Sequence, residues 1–384
     1  MIEIKEALDL VLKNRASYPV IDMKAKDALN HFLAEDIYSN IDLPPFDNSS
    51  MDGYAVNSKG GLSAQIIGEI KTGDGSEFEL NPGEAYRIFT GAKIPYGADS
   101  IIIQENVIRT DNSITFPQDS LVRGRYIRKK GGHITVDQLV VKKGSLLSPA
   151  HIAIISSLGL SSIKVESKPT ITLFITGDEL VQPGSIIEEG QIYESNSQML
   201  YSALKNDHFN NLKIVHLPDD FEKTKLEIEM NLSSSDILIF SGGISVGDHD
   251  YVKPALDSLN LNTIFYKVKQ KPGKPLLFGK VENKTVFALP GNPASALTSY
   301  YIYIRSYLFN DKPLFLKASL KKNFYNKVNR PNFTRSLIKN EEVEVLEGQE
   351  SHILLSYLKA NCLALLDEEK EYKKGELINY YKFK

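Results

Sequence analysis

Three short apolar runs, Thr170–Thr176, Asp236–Ser241 and Lys284–Leu289, each lead straight into a loop built from glycine, proline or carboxylate residues. No other feature constrains the chain as tightly. The intervals between the runs are long enough for helices, and Met199–Lys205 and Phe221–Leu232 supply candidate crossovers. Buried strands alternating with helices make a parallel sheet covered on both faces. In open sheets of this kind, ligands settle outside the carboxyl ends of strands, where loops converge. The pattern therefore predicts a doubly wound α/β domain over residues 169–312, with its chemistry at those three loops.

The flanking segments read differently. Ile4, Ala7, Leu8, Val11 and Leu12 follow the rhythm of an amphipathic helix, and Ala25, Ala28, Leu29, Phe32 and Leu33 suggest a second. Pro44-Pro45 ends that pattern. Residues 46–139 alternate short apolar runs such as Gln65–Ile70 and Ser100–Gln104 with glycine-rich turns, the texture of a β-rich insert. A helix near Pro149–Leu158 should end at Gly159. Residues 1–45 and 140–168 then form a helical linking domain. Residues 313–384, with Val343–Leu346 and His352–Tyr357 as strands, form a C-terminal β domain. The expected fold class is thus multi-domain α/β plus β.

Composition narrows the function. The 45 basic and 48 acidic residues leave a net charge of −3, which gives no electrostatic case for nucleic acid or an anionic membrane. A single cysteine excludes a disulfide framework within the chain and any multi-cysteine metal centre. No apolar run is long enough to span a bilayer. The acidic first helix suits no secretory or transit peptide, so a cytoplasmic location is expected.

At the strand ends, Gly242, Gly243 and Gly247 allow tight turns and close backbone approach to an anion, with Ser245 among them. A plain strand–helix turn would use the same glycines. In Pro290-Gly291-Asn292-Pro293, Asn292 can cap the following helix, and Ser295 falls in its first turn. Simple capping and oxyanion binding both remain open there. Lys269, Lys271 and Lys274 sit on a segment stiffened by Pro272 and Pro275, which lowers the entropy lost on meeting an anion. Glu179, Asp248 and Asp250 offer hard oxygen ligands suited to Mg²⁺. His249 reads as a bystander, and no serine sits in a nucleophile elbow.

Several longer motifs then occur in order: Pro44-Pro45-Phe46-Asp47-Asn48-Ser49-Ser50-Met51-Asp52-Gly53-Tyr54-Ala55-Val56; Phe89-Thr90-Gly91-Ala92 with Ile94-Pro95 and Gly97-Ala98-Asp99; Thr176-Gly177-Asp178-Glu179-Leu180-Val181 with Pro183-Gly184; Gly242 to Lys253; Lys271-Pro272-Gly273-Lys274-Pro275; and Leu289-Pro290-Gly291-Asn292-Pro293-Ala294-Ser295. Together they resemble the molybdopterin molybdenumtransferase family, to which a domain of the scaffold protein gephyrin is related. The resemblance runs from about residue 4 to 370. It implies an elongated four-module homodimer that converts adenylylated molybdopterin and molybdate into molybdenum cofactor and AMP, with Mg²⁺. It also implies contact with the upstream adenylyltransferase and with acceptor apo-molybdoenzymes.

By the same resemblance, Glu179, Asp248 and Asp250 lie near the substrate phosphates and metal, and Asp250 serves AMP cleavage. Asp219-Asp220 match an acidic pair of which one enters the site. Asp52 and Thr90 reach in from the partner's β-rich module, and Lys274, Ser295, Arg335 and Ser351 hold molybdate. Three positions depart from the family pattern. Gly132-His133 replace Gly-Glu-Asp, Gln349-Glu350-Ser351-His352 replace Gln-Gly-Ser-Gly, and Asn361-Cys362 replace Asn-Gly. The change beside Ser351 should stiffen its loop and bring a negative charge near an oxyanion site. Two other readings compete. One is adenylyl transfer to molybdopterin, against which stand the extra β modules and Arg335. The other is a non-catalytic scaffold, against which stand Glu179, Asp248, Asp250 and Lys274.

Overall fold

A computed structural model describes residues 1–244 and 250–384. The chain divides into two compact units, one formed by Met1–Pro19 with Ser167–Lys384 and the other by Val20–Glu166.

The larger unit is built on a six-stranded sheet. Its order is Leu212–Leu217, Ile171–Thr176, Ile237–Ser241, Lys284–Leu289, Leu277–Val281 and Asn262–Tyr266. The first four strands are parallel, and the last two join antiparallel. The apolar runs seen in the sequence are therefore central strands, and Ile171, Leu173, Phe174, Ile237–Phe240 and Val286–Leu289 are all buried. Residues fully covered on both faces cannot alternate with polar ones, which explains their unbroken apolarity.

Helices Asn196–Asn206 and Phe221–Leu232 follow the first two parallel strands in sequence. The last parallel strand leads into a continuous helical run: Pro293–Ser299, a π-helical stretch Tyr300–Ile304, then Arg305–Phe309. The N-terminal helix Ile4–Lys13 buries Ala7, Leu8 and Val11 in the same core as Tyr300, Tyr303 and Tyr307. It thus packs in the α/β unit rather than in a linking domain of residues 1–45. The C-terminal residues form a closed barrel of Phe315–Leu320, Glu342–Val345, Asn332–Lys339, Cys362–Leu366 and Leu377–Lys382. Phe333, Leu363 and Tyr381 join the sheet's core from the barrel.

In the smaller unit, a second six-stranded sheet contains Gly53–Val56, Ser63–Ile70, Glu84–Ile88 and Ser100–Ile103. The helix expected over Ala25–Leu33 is absent. Ala25–Asp27 is one 3₁₀ turn, and Val20–Lys24 pairs antiparallel with Ser162–Glu166. Ala28 and Leu33 are buried as the pattern required, but Leu29 faces solvent. A distant strand partner outweighs a short helical periodicity. The helix Pro149–Ser157 forms, and Gly159 follows with φ +78°. In the C-terminal barrel, His352–Tyr357 is not a strand; Leu355–Lys359 is a short helix. Among the described residues no helix is long and apolar enough to cross a membrane.

Candidate active site at the strand ends

The carboxyl ends of three parallel strands open into one cleft of about 720 Å³. From the Ile171–Thr176 end come Thr176, Gly177 and Glu179. Ser241, Gly242, Gly243 and Asp250 come from the Ile237–Ser241 end, and Pro290, Gly291 and Asn292 from the Lys284–Leu289 end. Asp219 enters from the loop after Leu212–Leu217.

Specific contacts hold these loops together. The Gly242 amide donates to the Leu289 carbonyl at 3.2 Å. Asn196 spans two loops, its Nδ2 donating to Ser241 Oγ at 2.9 Å and to the Gly291 carbonyl at 2.7 Å. Gly243 takes φ +64°, and a Cβ there would lie 2.6 Å from Val252 Cγ2. Only glycine fits that turn, because both the backbone angle and the close neighbour exclude a side chain.

The acidic residues separate by role. Asp219 lines the cleft, and its Oδ2 accepts the Asp178 amide at 3.2 Å. Asp220 is not among the cleft-lining residues and caps the helix Phe221–Leu232, its Oδ1 accepting the Lys223 amide at 2.9 Å. Glu179 and Asp250 both line the cleft. Ser245, Gly247, Asp248 and His249 lie outside the described residues. Among the described residues no group of three or more His, Cys, Asp or Glu side chains is arranged to hold a metal. Glu179, Asp219 and Asp250 are all hard oxygen donors lining one cleft, without being gathered into a three-carboxylate cluster.

Asn292 is the N-cap by backbone position, but its side chain makes no capping bond. Its Nδ2 donates instead to Ser351 Oγ at 2.9 Å, while the Ala294 amide donates to the Ser351 carbonyl at 3.0 Å. The C-terminal loop is thereby fastened to the Pro290–Asn292 loop, and His352 beside it lines the cleft.

Lys271, Lys274, Ser295, Arg335 and Ser351 are not among the cleft-lining residues, but they lie on segments that touch one another. A Cβ at Gly273 would lie 3.5 Å from the Ser295 carbonyl. The Lys271 carbonyl accepts the Phe333 amide at 2.7 Å, two residues from Arg335. Arg335 is fully buried. Its guanidinium donates to the carbonyls of Gly348 and Glu350 at 2.7 and 3.0 Å and to Ser356 Oγ at 3.1 Å. Nη1 is buried with no hydrogen-bond partner. Burial pulls the Arg335 pKa below its ordinary value, with Tyr357 and Glu350 opposing the shift. A buried guanidinium with an unspent donor is suited to an oxyanion.

In the smaller unit, Asp52 and Thr90 form a pair. Asp52 Oδ1 accepts both the amide and the hydroxyl of Thr90 at 2.8 Å. Those two bonds hold the Asp52 carboxyl below the usual carboxylate range, with Arg87 adding to the shift. An aspartate so held stays ionised, with one oxygen left for a ligand.

Sequence reasoning passed over Thr176, Glu194, Ser195 and Asn196, all of which line the cleft. Glu194 is buried and accepts the Ser197 amide at 2.7 Å, as well as the Ser197 hydroxyl. The available signal was Glu194-Ser195-Asn196-Ser197 directly before a helical run, a cluster of polar residues at a helix start.

Comparison with known proteins agrees along the whole chain. Residues 2–159 match the MoeA N-terminal region (domain I and II), residues 172–310 the probable molybdopterin binding domain, and residues 317–383 the MoeA C-terminal region (domain IV). A molybdopterin molybdenumtransferase of Haemophilus influenzae is 34% identical over 367 residues, covering 91% of this chain and 90% of its own. A putative molybdopterin biosynthesis protein of Methanocaldococcus jannaschii is 33% identical over 407 residues, covering 100% of this chain and 98% of its own. The crystal structure of a molybdopterin biosynthesis MoeA protein from Pyrococcus horikoshii superposes with a TM-score of 0.84 at 27% identity, covering 100% of both chains. With relatives of this identity matched along nearly their full length, the chain belongs to the molybdopterin molybdenumtransferase (MoeA) family.

Proposed function

We infer that this protein is a transferase of molybdenum cofactor biosynthesis, which inserts molybdenum from molybdate into adenylylated molybdopterin and releases AMP. One observation carries the reading: Glu179, Asp219 and Asp250 share a cleft with the backbone turns of Gly242, Gly243 and Gly291 at the ends of parallel strands. Glycine turns bring backbone N–H groups to a phosphate, while carboxylates suit the cation that accompanies it. The dithiolene sulfurs that take the metal belong to the substrate, so a chain with one buried cysteine can perform molybdenum chemistry.

In this reading the glycine loops and Asn292 orient the phosphate bridge joining molybdopterin to AMP. Mg²⁺, held by Glu179 and Asp250 with Asp248 as the family resemblance adds, would offset the charge that grows as that bridge breaks. Asp250 lies beside the bond that breaks in this reading. Lys274, Ser295, Arg335 and Ser351 hold molybdate, the Arg335 Nη1 donor being the group with a bond to spare. Lys271 supports the same segment. Asp52 and Thr90 serve a second copy's cleft, which makes the active form a homodimer. The enzyme works in the cytoplasm, receives its substrate from an adenylyltransferase and passes its product to apo-molybdoenzymes.

The test is incubation with adenylylated molybdopterin, molybdate and Mg²⁺, following AMP release and reconstitution of an apo-molybdoenzyme. Asp250→Asn keeps the shape but removes the charge. It should retain intact adenylylated molybdopterin, identified by mass spectrometry after a single turnover. AMP release at the wild-type rate would place the catalytic carboxylate elsewhere, with Glu179 the first to examine.

A further inference from the structure

Beneath the lysine turn lies a buried amide that the proposed mechanism does not use. Gln270 is fully buried. Its Nε2 donates to the Pro272 carbonyl at 3.0 Å and to the Gly273 carbonyl at 3.3 Å, and its Oε1 accepts the Tyr303 hydroxyl. Carbonyls only accept, so the amide has one possible orientation and both its ends are engaged. Tyr303 is equally buried and lies in the π-helical stretch Tyr300–Ile304. Wide turns of this kind cluster at functional sites, where they re-aim a side chain out of helical register.

The turn has little freedom left. Gly273 takes φ +82°, and a Cβ there would lie 2.9 Å from Ser299 Oγ and 3.1 Å from Gln270 Nε2. On one side the Lys271 amide donates to the Pro331 carbonyl at 2.8 Å. On the other, the Lys274 carbonyl accepts the Val268 amide at 3.0 Å. Lys271 and Lys274 thus flank a Pro-Gly pair whose two carbonyls are fastened from below by one side chain.

We propose that Gln270, held by Tyr303, is a positioning residue for molybdate use, acting by fixing the backbone from which Lys271 and Lys274 project. The inference rests on the reading above that this segment holds the oxyanion. If packing alone governed the position, an apolar residue of similar volume would serve without the cost of desolvating an amide. Here the amide fixes where two charged side chains begin, and a shift of about 1 Å far from the chemistry can cost a hundredfold in rate.

Gln270→Glu is the informative variant. It retains the shape and the Tyr303 contact but replaces the two donors with a carboxylate oxygen facing two carbonyls. Reconstitution assays at varied molybdate should show the molybdate KM rising on the order of tenfold, with kcat and the affinity for adenylylated molybdopterin within about twofold of wild type. Tyr303→Phe removes one oxygen, leaves both Nε2 bonds and should fall between wild type and Gln270→Glu. It also provides the measurement if Gln270→Glu does not fold. A Tyr303→Phe enzyme with wild-type molybdate KM overturns the proposal, as does an equal loss for both ligands in Gln270→Glu. Failure of the wild-type protein to use molybdate at all would instead refute the proposed function, so the two failures are distinct.

Discussion

Gly243→Ala is a direct test of how rigidly the cleft is built. The added Cβ would sit 2.6 Å from Val252 Cγ2 and 3.1 Å from Thr176 Oγ1, on a residue with φ +64°. Val252 begins the helix Val252–Ser258 and is 1% exposed, packed in a cluster with Ile244, Ala255 and Leu256, so it cannot swing into solvent. Two costs add. Holding alanine at a left-handed angle costs about 1 kcal/mol. Overpacking against a fixed neighbour costs about 1–3 kcal/mol. The sum is roughly 2–4 kcal/mol. Gly190 supplies the control, because it has φ +89° but nothing within 4 Å of its ideal Cβ. Gly190→Ala should therefore cost only the first part, about 1 kcal/mol. Urea denaturation followed by circular dichroism suits a chain without tryptophan. In a double-mutant cycle, Val252→Ala should recover part of the Gly243→Ala loss, a coupling on the order of 1 kcal/mol or more. If Gly243→Ala is no costlier than Gly190→Ala, or the cycle shows no coupling, the loop is looser than argued.

Two further outcomes follow from the site. Asp219→Asn should leave the unfolding transition in place but slow AMP release, whereas Asp220→Ala should cost about 1 kcal/mol of stability through the lost cap and leave turnover intact; the reverse pattern would exchange their roles. Mixing an Asp52→Ala chain with an Asp250→Ala chain should restore activity if each subunit completes the other's site. Proven heterodimers without activity would refute the shared site.

The legible part of the fold was the part made of central strands. The strands that carry Phe174, Leu238 and Phe287 are covered on both faces, so these segments announce themselves as unbroken apolar runs. The loops beyond them were legible for the same reason, since a strand must end where glycine and carboxylates begin. Ala25–Leu33 departs from its helical pattern because its amides bond elsewhere: Ala25 donates to the Ser161 carbonyl, Asn30 to Leu147 and Leu33 to Ser145, partners far along the chain of which a local window holds no trace. His352–Tyr357 failed similarly. Its apolar residues suggested a strand, but Arg335 takes the Gly348 and Glu350 carbonyls and the Ser356 hydroxyl, which ties the loop to the barrel and leaves one helical turn. The polar cluster at Glu194–Ser197 marks a helix start, but nothing local tells that Asn196 bridges two loops of a cleft. Its meaning arises only when Ser241 and Gly291 meet it.

The departures from the family pattern can be sorted by the same physical reasoning. Cys362 points its thiol at the Ser336 carbonyl, 3.3 Å away within the barrel, and burial pushes its pKa up to about 12. It is a packing residue, inert at neutral pH. Asn361 exchanges side-chain bonds with both backbone groups of Ile338, so the lost glycine cost no anchoring there. Glu350 offers its carbonyl to Arg335 and its charge opposes the downward shift of that guanidinium. His352 is the departure of another kind, because it is a new side chain on the wall of the cleft itself. A glycine at that position would have left the wall bare. The substitution therefore adds a hydrogen-bonding group to the site, at the end of a loop that Asn292 and Ser351 already fasten in place.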